Sequence, residues 1–195
     1  MACITKIAAN LLFDCETPPA QGLETTVILI NRADINRTLS EEATDGTQDI
    51  ELVAGTTGYK LEGVKQLNSY NATLEVADDK LTKVVHSFVG RIFNITPETR
   101  TFIQALINGG NVVAVVEKLA KGALNANAYQ ILGWQNGLEI SEGVENSAEN
   151  DGAFTFVLSS PSLAREPRMP LIYKDTDYAT SKAKFDNAFT AIVIP

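Results

Sequence analysis

Leu81-Thr-Lys-Val-Val-His-Ser-Phe-Val-Gly-Arg-Ile-Phe-Asn-Ile95 runs straight into Thr96-Pro97-Glu98, and the fold turns on how this run is read. Leu81, Val84, Val85, Phe88 and Ile92 would line one face of a helix, whereas the Val, Ile and Phe content favours a strand. Gly90 inside the run and a fresh helix start at Thr96 decide for the strand, because a helix already under way needs no new cap. Thr96 offers a hydroxyl to the first orphan amides, Pro97 presets φ at the first helical position, and Glu98 complements the positive helix end. The helix predicted over Pro97–Asn108 carries Phe102, Ile103, Leu106 and Ile107 as an apolar stripe to lie against a sheet, and Gly109 stops it.

Working outward, Val112–Val116 is an unbroken apolar run and reads as a buried strand. Tyr129, Ile131 and Gly133 alternate with Gln130 and Leu132, and Leu138 and Ile140 alternate with Glu139; Asn136-Gly137 between them is a hairpin signal. Asp151-Gly152 precedes Phe154, Phe156 and Leu158, a further strand. Upstream, Thr25–Asn31 is β-branched and apolar at its centre, a strand covered on both faces. Short antiparallel strands are expected at Asp49–Val53 and Thr57–Gly63, around Gly55 and Gly58, and at Leu74–Val76 before a turn at Asp78-Asp79. The fold class that follows is mainly β with one flanking α-helix (α+β).

The chain divides into an arm over residues 1–23, a body over 24–160 and an extension over 161–195. The arm mixes small residues with Pro18-Pro19 and Gly22 and suits an extended segment that docks on something. In the extension, Pro161, Pro167 and Pro170 impose an extended path, and Tyr178–Phe189 is expected to form a short amphipathic helix with Tyr178, Phe185 and Phe189 on one side. Those aromatics either pack on a partner or fold back on their own domain. Asn36–Asp49 is polar, acidic and aperiodic, and loops of more than about 12 residues tend to be functional or disordered. It is either a solvated loop or a projection, with Glu41, Glu42, Asp45 and Gly46, that orders against a neighbouring subunit. Trp134 is a core residue or an interface anchor.

At 195 residues the chain supports one substantial domain. Acidic residues outnumber basic ones, 24 against 16, for a formal charge of −8. That balance argues against a protein that grips nucleic acid through its phosphates. No apolar run approaches the ~18 residues that cross a bilayer, and Met1 to Lys6 does not open like a signal peptide. Cys3 and Cys15 read as two thiols in a reducing compartment. Chemistry is scarce. His86 is the sole histidine, so no multi-histidine metal site exists, and it reads as a structural or surface residue. Glu41-Glu42 and Asp78-Asp79 sit in turns, where solvated acids are routine. No nucleotide, nucleophile or zinc motif is found. The expectation is no enzyme, no cofactor, no metal and no small-molecule substrate.

The run from Leu81 to Phe93, the Thr96-Pro97-Glu98 helix, Asn111-Val-Val-Ala-Val-Val-Glu117, Gly133-Trp-Gln-Asn-Gly-Leu-Glu139 and Gly152-Ala-Phe-Thr-Phe-Val-Leu-Ser-Ser160, together with the Met-Ala-Cys start, resemble tail-tube-like structural proteins of tailed bacteriophages. The resemblance covers roughly residues 24–160. It implies an antiparallel β-sandwich or half-barrel flanked by a helix, assembling with copies of itself into rings, commonly hexamers and alternatively dodecamers. Stacked rings of that family form a tube through which DNA passes without sequence-specific contact, and other tail or head-to-tail proteins are the further partners. The implied location is the virion, at the tail or head-tail junction, after assembly in the host cytoplasm. The long arm and the Pro-rich extension depart from a plain tail tube, and a head-to-tail connector ring of a short-tailed phage is the alternative; a capsid decoration or binding module, contacting its partner through Trp134 and the C-terminal aromatics, is a more distant one.

Overall fold

The computed structural model describes residues 20–76 and 82–190; the Cys3 and Cys15 thiols, nearly all of the arm and the Asp78-Asp79 turn lie outside the described residues. Along the chain run β1 (Leu23–Asn31), β2 (Tyr59–Glu62), β3 (Ser69–Val76), β4 (Thr82–Ile92), α1 (Pro97–Ile107), β5 (Val112–Lys118), β6 (Tyr129–Leu132), β7 (Glu139–Glu145), β8 (Phe154–Ser159), β9 (Leu171–Tyr173) and α2 (Tyr178–Asp186). The strands form a five-stranded sheet in the order β2-β1-β5-β6-β9 and a four-stranded sheet in the order β3-β4-β8-β7. Each strand pairing within them is antiparallel.

Alternation along the strands assigns the layers. In β1, Val27 and Leu29 join Phe88, Phe156 and Leu158 in a core between the two sheets, while Ile28 and Ile30 point the other way. There they meet Val113, Val115, Tyr129, Ile131, Phe185 and Phe189. The five-stranded sheet is therefore the middle layer, which is why its central strands are apolar throughout. The four-stranded sheet covers one of its faces, and α2 with the segment around Ile50 and Leu52 covers the other.

Within the run from Leu81 to Ile95, Thr82–Ile92 is a strand, ending three residues short of Ile95, and Thr96 caps α1 by accepting the Thr99 N–H at 3.3 Å. Ile103 and Leu106 enter the inter-sheet core with Phe102 partly buried. Ile107, expected in the same stripe, is exposed. Successive helical residues point about 100° apart, so Ile107 cannot follow Leu106 inward on so narrow a contact.

Four other expectations are corrected. Asp49–Val53 forms no strand: Leu52 makes an isolated bridge with Ile35, and the Asp49 and Glu51 carboxylates are drawn to Lys184. All four residues of β6 are buried, without the exposed alternate positions, because layers cover both sides of it. Asn136-Gly137 makes no hairpin, since β6 and β7 belong to different sheets and the turn is a crossover between them. The helix expected over Tyr178–Phe189 forms but ends at Asp186, leaving Phe189 beyond it, so the described residues carry two α-helices, α1 beside the sheets and α2 in the extension.

Residues 161–190 pack onto the body. Strand β9 pairs with β6, and the Tyr129 ring sits 4.7 Å from that of Phe185 and 5.8 Å from that of Tyr173, centroid to centroid. Tyr173 and Phe189 meet edge-on at 5.0 Å. An aromatic cluster of this kind gives both burial and favourable quadrupole geometry.

Candidate functional site

The crossover at Gly133–Gly137 is heavily tied through its backbone, and its ties come from four separate segments. The Gly133 N–H donates to His86 Nδ1 at 3.1 Å, from β4. Glu166 accepts the N–H groups of Gln135 at 3.0 Å and Asn136 at 2.7 Å, one on each carboxylate oxygen. From the loop after β1, Arg37 donates to the Trp134 carbonyl at 2.6 Å, and Arg32 donates twice to the Gln135 carbonyl, at 3.0 and 2.7 Å. Asn111, at the start of β5, donates to the Asn136 carbonyl at 3.1 Å. Gly137 adopts φ +83°, and a Cβ there would fall 1.7 Å from Asn111 Oδ1. Only glycine fits.

The protonation state of His86 follows from these bonds. Because Nδ1 accepts the Gly133 N–H, the proton sits on Nε2, which donates to the Arg168 carbonyl at 2.9 Å. Burial lowers the imidazole pKa below its ordinary 6.5, against the opposing pull of Glu166 and the Arg168 carbonyl. A neutral imidazole at 2 % exposure with both nitrogens satisfied is a structural tie, as the sequence suggested. Glu166 is equally buried, and its own backbone pairs with Val84 in both directions, at 2.8 and 2.9 Å. The Ser160 hydroxyl bonds the His86 backbone, accepting its N–H at 3.0 Å and donating to its carbonyl at 3.4 Å, while the ring nitrogens bond Gly133 and Arg168. Among the described residues no group of His, Cys, Asp and Glu is placed to hold a metal ion, and no helix is long and apolar enough to cross a membrane. What the arrangement does is tie the crossover to β4, to the loop after β1, to the start of β5 and to Glu166.

The expected contact residues are mostly turned inward. Trp134 is buried in the outer core with the Arg37 guanidinium 4.1 Å above its ring. Phe185 and Phe189 are buried in the same core with Tyr178 packed against it, so the extension folds back. The long loop is ordered by its own chain. Glu42 takes both Arg168 guanidinium nitrogens, at 2.9 and 3.1 Å; Asp45 caps Thr47 and pairs with Lys174 at 3.4 Å. Glu41 and Gly46 remain exposed, the Glu41 carbonyl accepting the Gln48 side chain. Lys184 meets Asp49 at 3.5 Å, Glu51 at 2.5 Å and Asp175 at 2.8 Å. Burial would lower its pKa, but the bonds from Asp175 and Glu51 hold it above the ordinary lysine value. The roles of Arg32, Arg37, Asn111 and Glu166 were missed from the sequence. None carries a local pattern, since each is recruited by the crossover.

The sheet edges are the remaining candidates. In the four-stranded sheet, all eight residues of β3 pair inward with β4, and six of the seven of β7 pair inward with β8, Ser141 falling at a register shift. Among the described residues no strand pairs with their outer edges. Leu74 and Val76 at the end of β3 are 61 % and 71 % exposed, and Val144 on β7 is exposed as well. No family model, curated protein or solved structure matches the chain.

Proposed function

We propose that the protein is a structural subunit that closes into a ring by pairing the β3 edge of one copy with the β7 edge of the next, and that the ring belongs to a tailed-phage tail tube or head-to-tail connector. The observation that carries this reading is the pair of bare edges on one sheet. They are of nearly equal length, eight and seven residues, and head-to-tail pairing of two different edges generates a closed ring when the rotation closes. A bare edge of that length on a monomer is an aggregation hazard, whereas in a ring each edge is completed by its neighbour.

Charge is consistent with a conduit. The surplus of eight negative charges gives a surface over which a polyanion slides without gripping, because no cluster of Lys and Arg is present to release counterions. The phage context rests on the resemblance of the motifs between Leu81 and Ser160. Hexamers are the expected ring, stacked as a tube in the tail-tube case and single in the connector case.

Negative-stain electron microscopy of the purified protein tests the reading, with the double variant Leu74→Lys, Val144→Lys as the matched control. Both sites are exposed, so the variant should fold, and lysines on bare edges oppose strand addition. Rings from the parent and monomers from the variant are expected. Rings that persist in the variant would remove the edges from the account.

A further inference from the structure

In the five-stranded sheet the β9 edge is closed by Gln48 of the long loop, whose N–H donates to the Ile172 carbonyl at 2.9 Å and whose carbonyl accepts the Lys174 N–H at 3.2 Å. The four-stranded sheet is bordered differently, because α1 lies along its last strand, β7. In the first turns of α1, Arg100 holds Glu145, at the end of β7, through both guanidinium nitrogens at 2.6 and 2.9 Å. Just past the last turn, Asn111 donates to the Glu139 carboxylate at 3.2 Å, at the start of β7, and Val112 bridges to Leu138. Helix and strand therefore run side by side in opposite directions. Arg100 and Ile107 are seven residues apart, and seven residues turn a helix through about 700°, so the two side chains leave α1 within about 20° of each other. Ile107 thus projects on the β7 side, at the end of the helix nearest the start of β7. It is 55 % exposed, and among the described residues no strand lies beyond β7 to cover it.

The opposite edge of the same sheet carries a matching surface. Tyr70 pairs with Phe88 and Leu74 with Val84, and residues opposite each other on neighbouring strands share a face. Phe88 belongs to the inter-sheet core, as do Ile103 and Leu106 of α1. By the two-residue alternation, Leu74 and Val76 at the end of β3 therefore point to the side of the sheet on which α1 lies. They are apolar, and their own chain leaves them bare. Repetition by rotation around a ring keeps this face of every copy on the same side, and so keeps its strand directions. Within one copy β3 and β7 run in opposite directions, separated by successive antiparallel pairings. An arriving β3 is then antiparallel to β7, and with the two edges overlapping along their length its end falls beside the start of β7. Ile107 stands there.

We infer that α1 straddles the seam between copies, with Ile107 of one copy packed on Leu74 and Val76 of the next. The inference rests on the edge pairing proposed above and adds a side-chain contact to it. Backbone hydrogen bonds alone do not choose a register, because registers that preserve the face differ by two residues, about 7 Å along the strand. A helix residue seated on the end of the arriving strand selects among them, and it buries on assembly three apolar side chains that the single copy exposes.

Disulfide trapping in the full chain tests it. With Cys3→Ser and Cys15→Ser as background, Ile107→Cys is combined with Leu74→Cys or with Val76→Cys and oxidised. Within one copy these positions lie by opposite edges of a four-stranded sheet, three strand spacings or about 14 Å apart. That is beyond the reach of a disulfide, so any bond joins two copies. A ladder of linked chains extending past the dimer on a non-reducing gel is expected from at least one pair, and none from Ile107→Cys with Glu75→Cys, which lies on the other face of β3. Rings in the electron microscope without a ladder, or an equal ladder from Glu75→Cys, would overturn the seam contact and leave the edge pairing standing. A parent chain that forms no rings would overturn the edge pairing and the contact with it. Ile107→Lys provides a second readout. A lysine suits the last turn of a helix, so urea unfolding should be unchanged, whereas rings should require about tenfold more protein. An unchanged assembly concentration would also overturn the contact.

Discussion

In the five-stranded sheet, Val112 to Glu117 of β5 and all of β6 are buried, both faces are packed, and Gln48 closes the β9 edge. In the four-stranded sheet, β4 and β8 bury every second residue, β7 buries none, and both outer edges are open among the described residues. One chain has thus made one sheet to hold itself together and another that faces outward. The lesson is that exposure in this protein is organised by layer. Apolar residues that look surplus in the sequence of the extension belong to the closed sheet's outer core, while the open sheet carries Leu74, Val76 and Val144 at its margins.

Core truncation should separate the sheets most sharply. Ile131→Ala removes a fully buried side chain from the middle layer and is expected to lower unfolding free energy by about 2–5 kcal/mol. Val144→Ala on β7 should change it by no more than about 0.5 kcal/mol. Urea unfolding of the two variants checks this, and similar losses would break the contrast.

The tie between the sheets comes next. Glu166→Ala leaves the part-buried Gln135 and Asn136 amides without their partner and is expected to lower unfolding free energy by about 1–3 kcal/mol in all, measured by urea unfolding.

A smaller effect is expected from pH. The folded pKa of His86 lies below 6.5, so as pH falls below 6.5 the unfolded chain takes up a proton before the folded one does. The His86 contribution is complete above pH 6.5 and declines from there down to the folded value, where it levels off. Thermal melts from pH 7.5 to 5 should show a falling Tm, and His86→Gln should flatten that part of the profile; an unchanged slope would remove His86 as its source.

The loop pairing is expected to matter least. Glu42→Gln breaks a half-exposed ion pair with Arg168 and should cost less than about 1 kcal/mol, with the difference shrinking in high salt.

Local signals were legible in the sequence, and partner choice was not. Thr96-Pro97-Glu98 started α1 because capping depends on adjacent residues, and the apolar centres of β1 and β5 marked the middle layer because burial on two faces leaves no polar positions. Asn136-Gly137 misled as a hairpin because a left-handed turn is common to hairpins and crossovers, and which one forms was decided by Arg32, His86 and Glu166, far away in sequence. Tyr178 and Phe185 were recognised as one side of a helix, whereas Phe189 lies beyond its end and packs on Tyr173; Tyr129, the ring that Tyr178 and Phe185 meet, lies about fifty residues upstream and left no mark on the local pattern. Gln48 shows the same limit, a polar loop residue whose role as a strand cap exists only once β9 is in place.

Sedimentation velocity across a hundredfold range of protein concentration, run on the parent chain and on Leu74→Lys, Val144→Lys, addresses the division between a sheet packed on both faces and a sheet open at both edges most directly. The account predicts a discrete ring-sized species for the parent and a folded monomer for the variant. A parent that sediments as a monomer at every concentration, or a variant that still forms the ring, would contradict it.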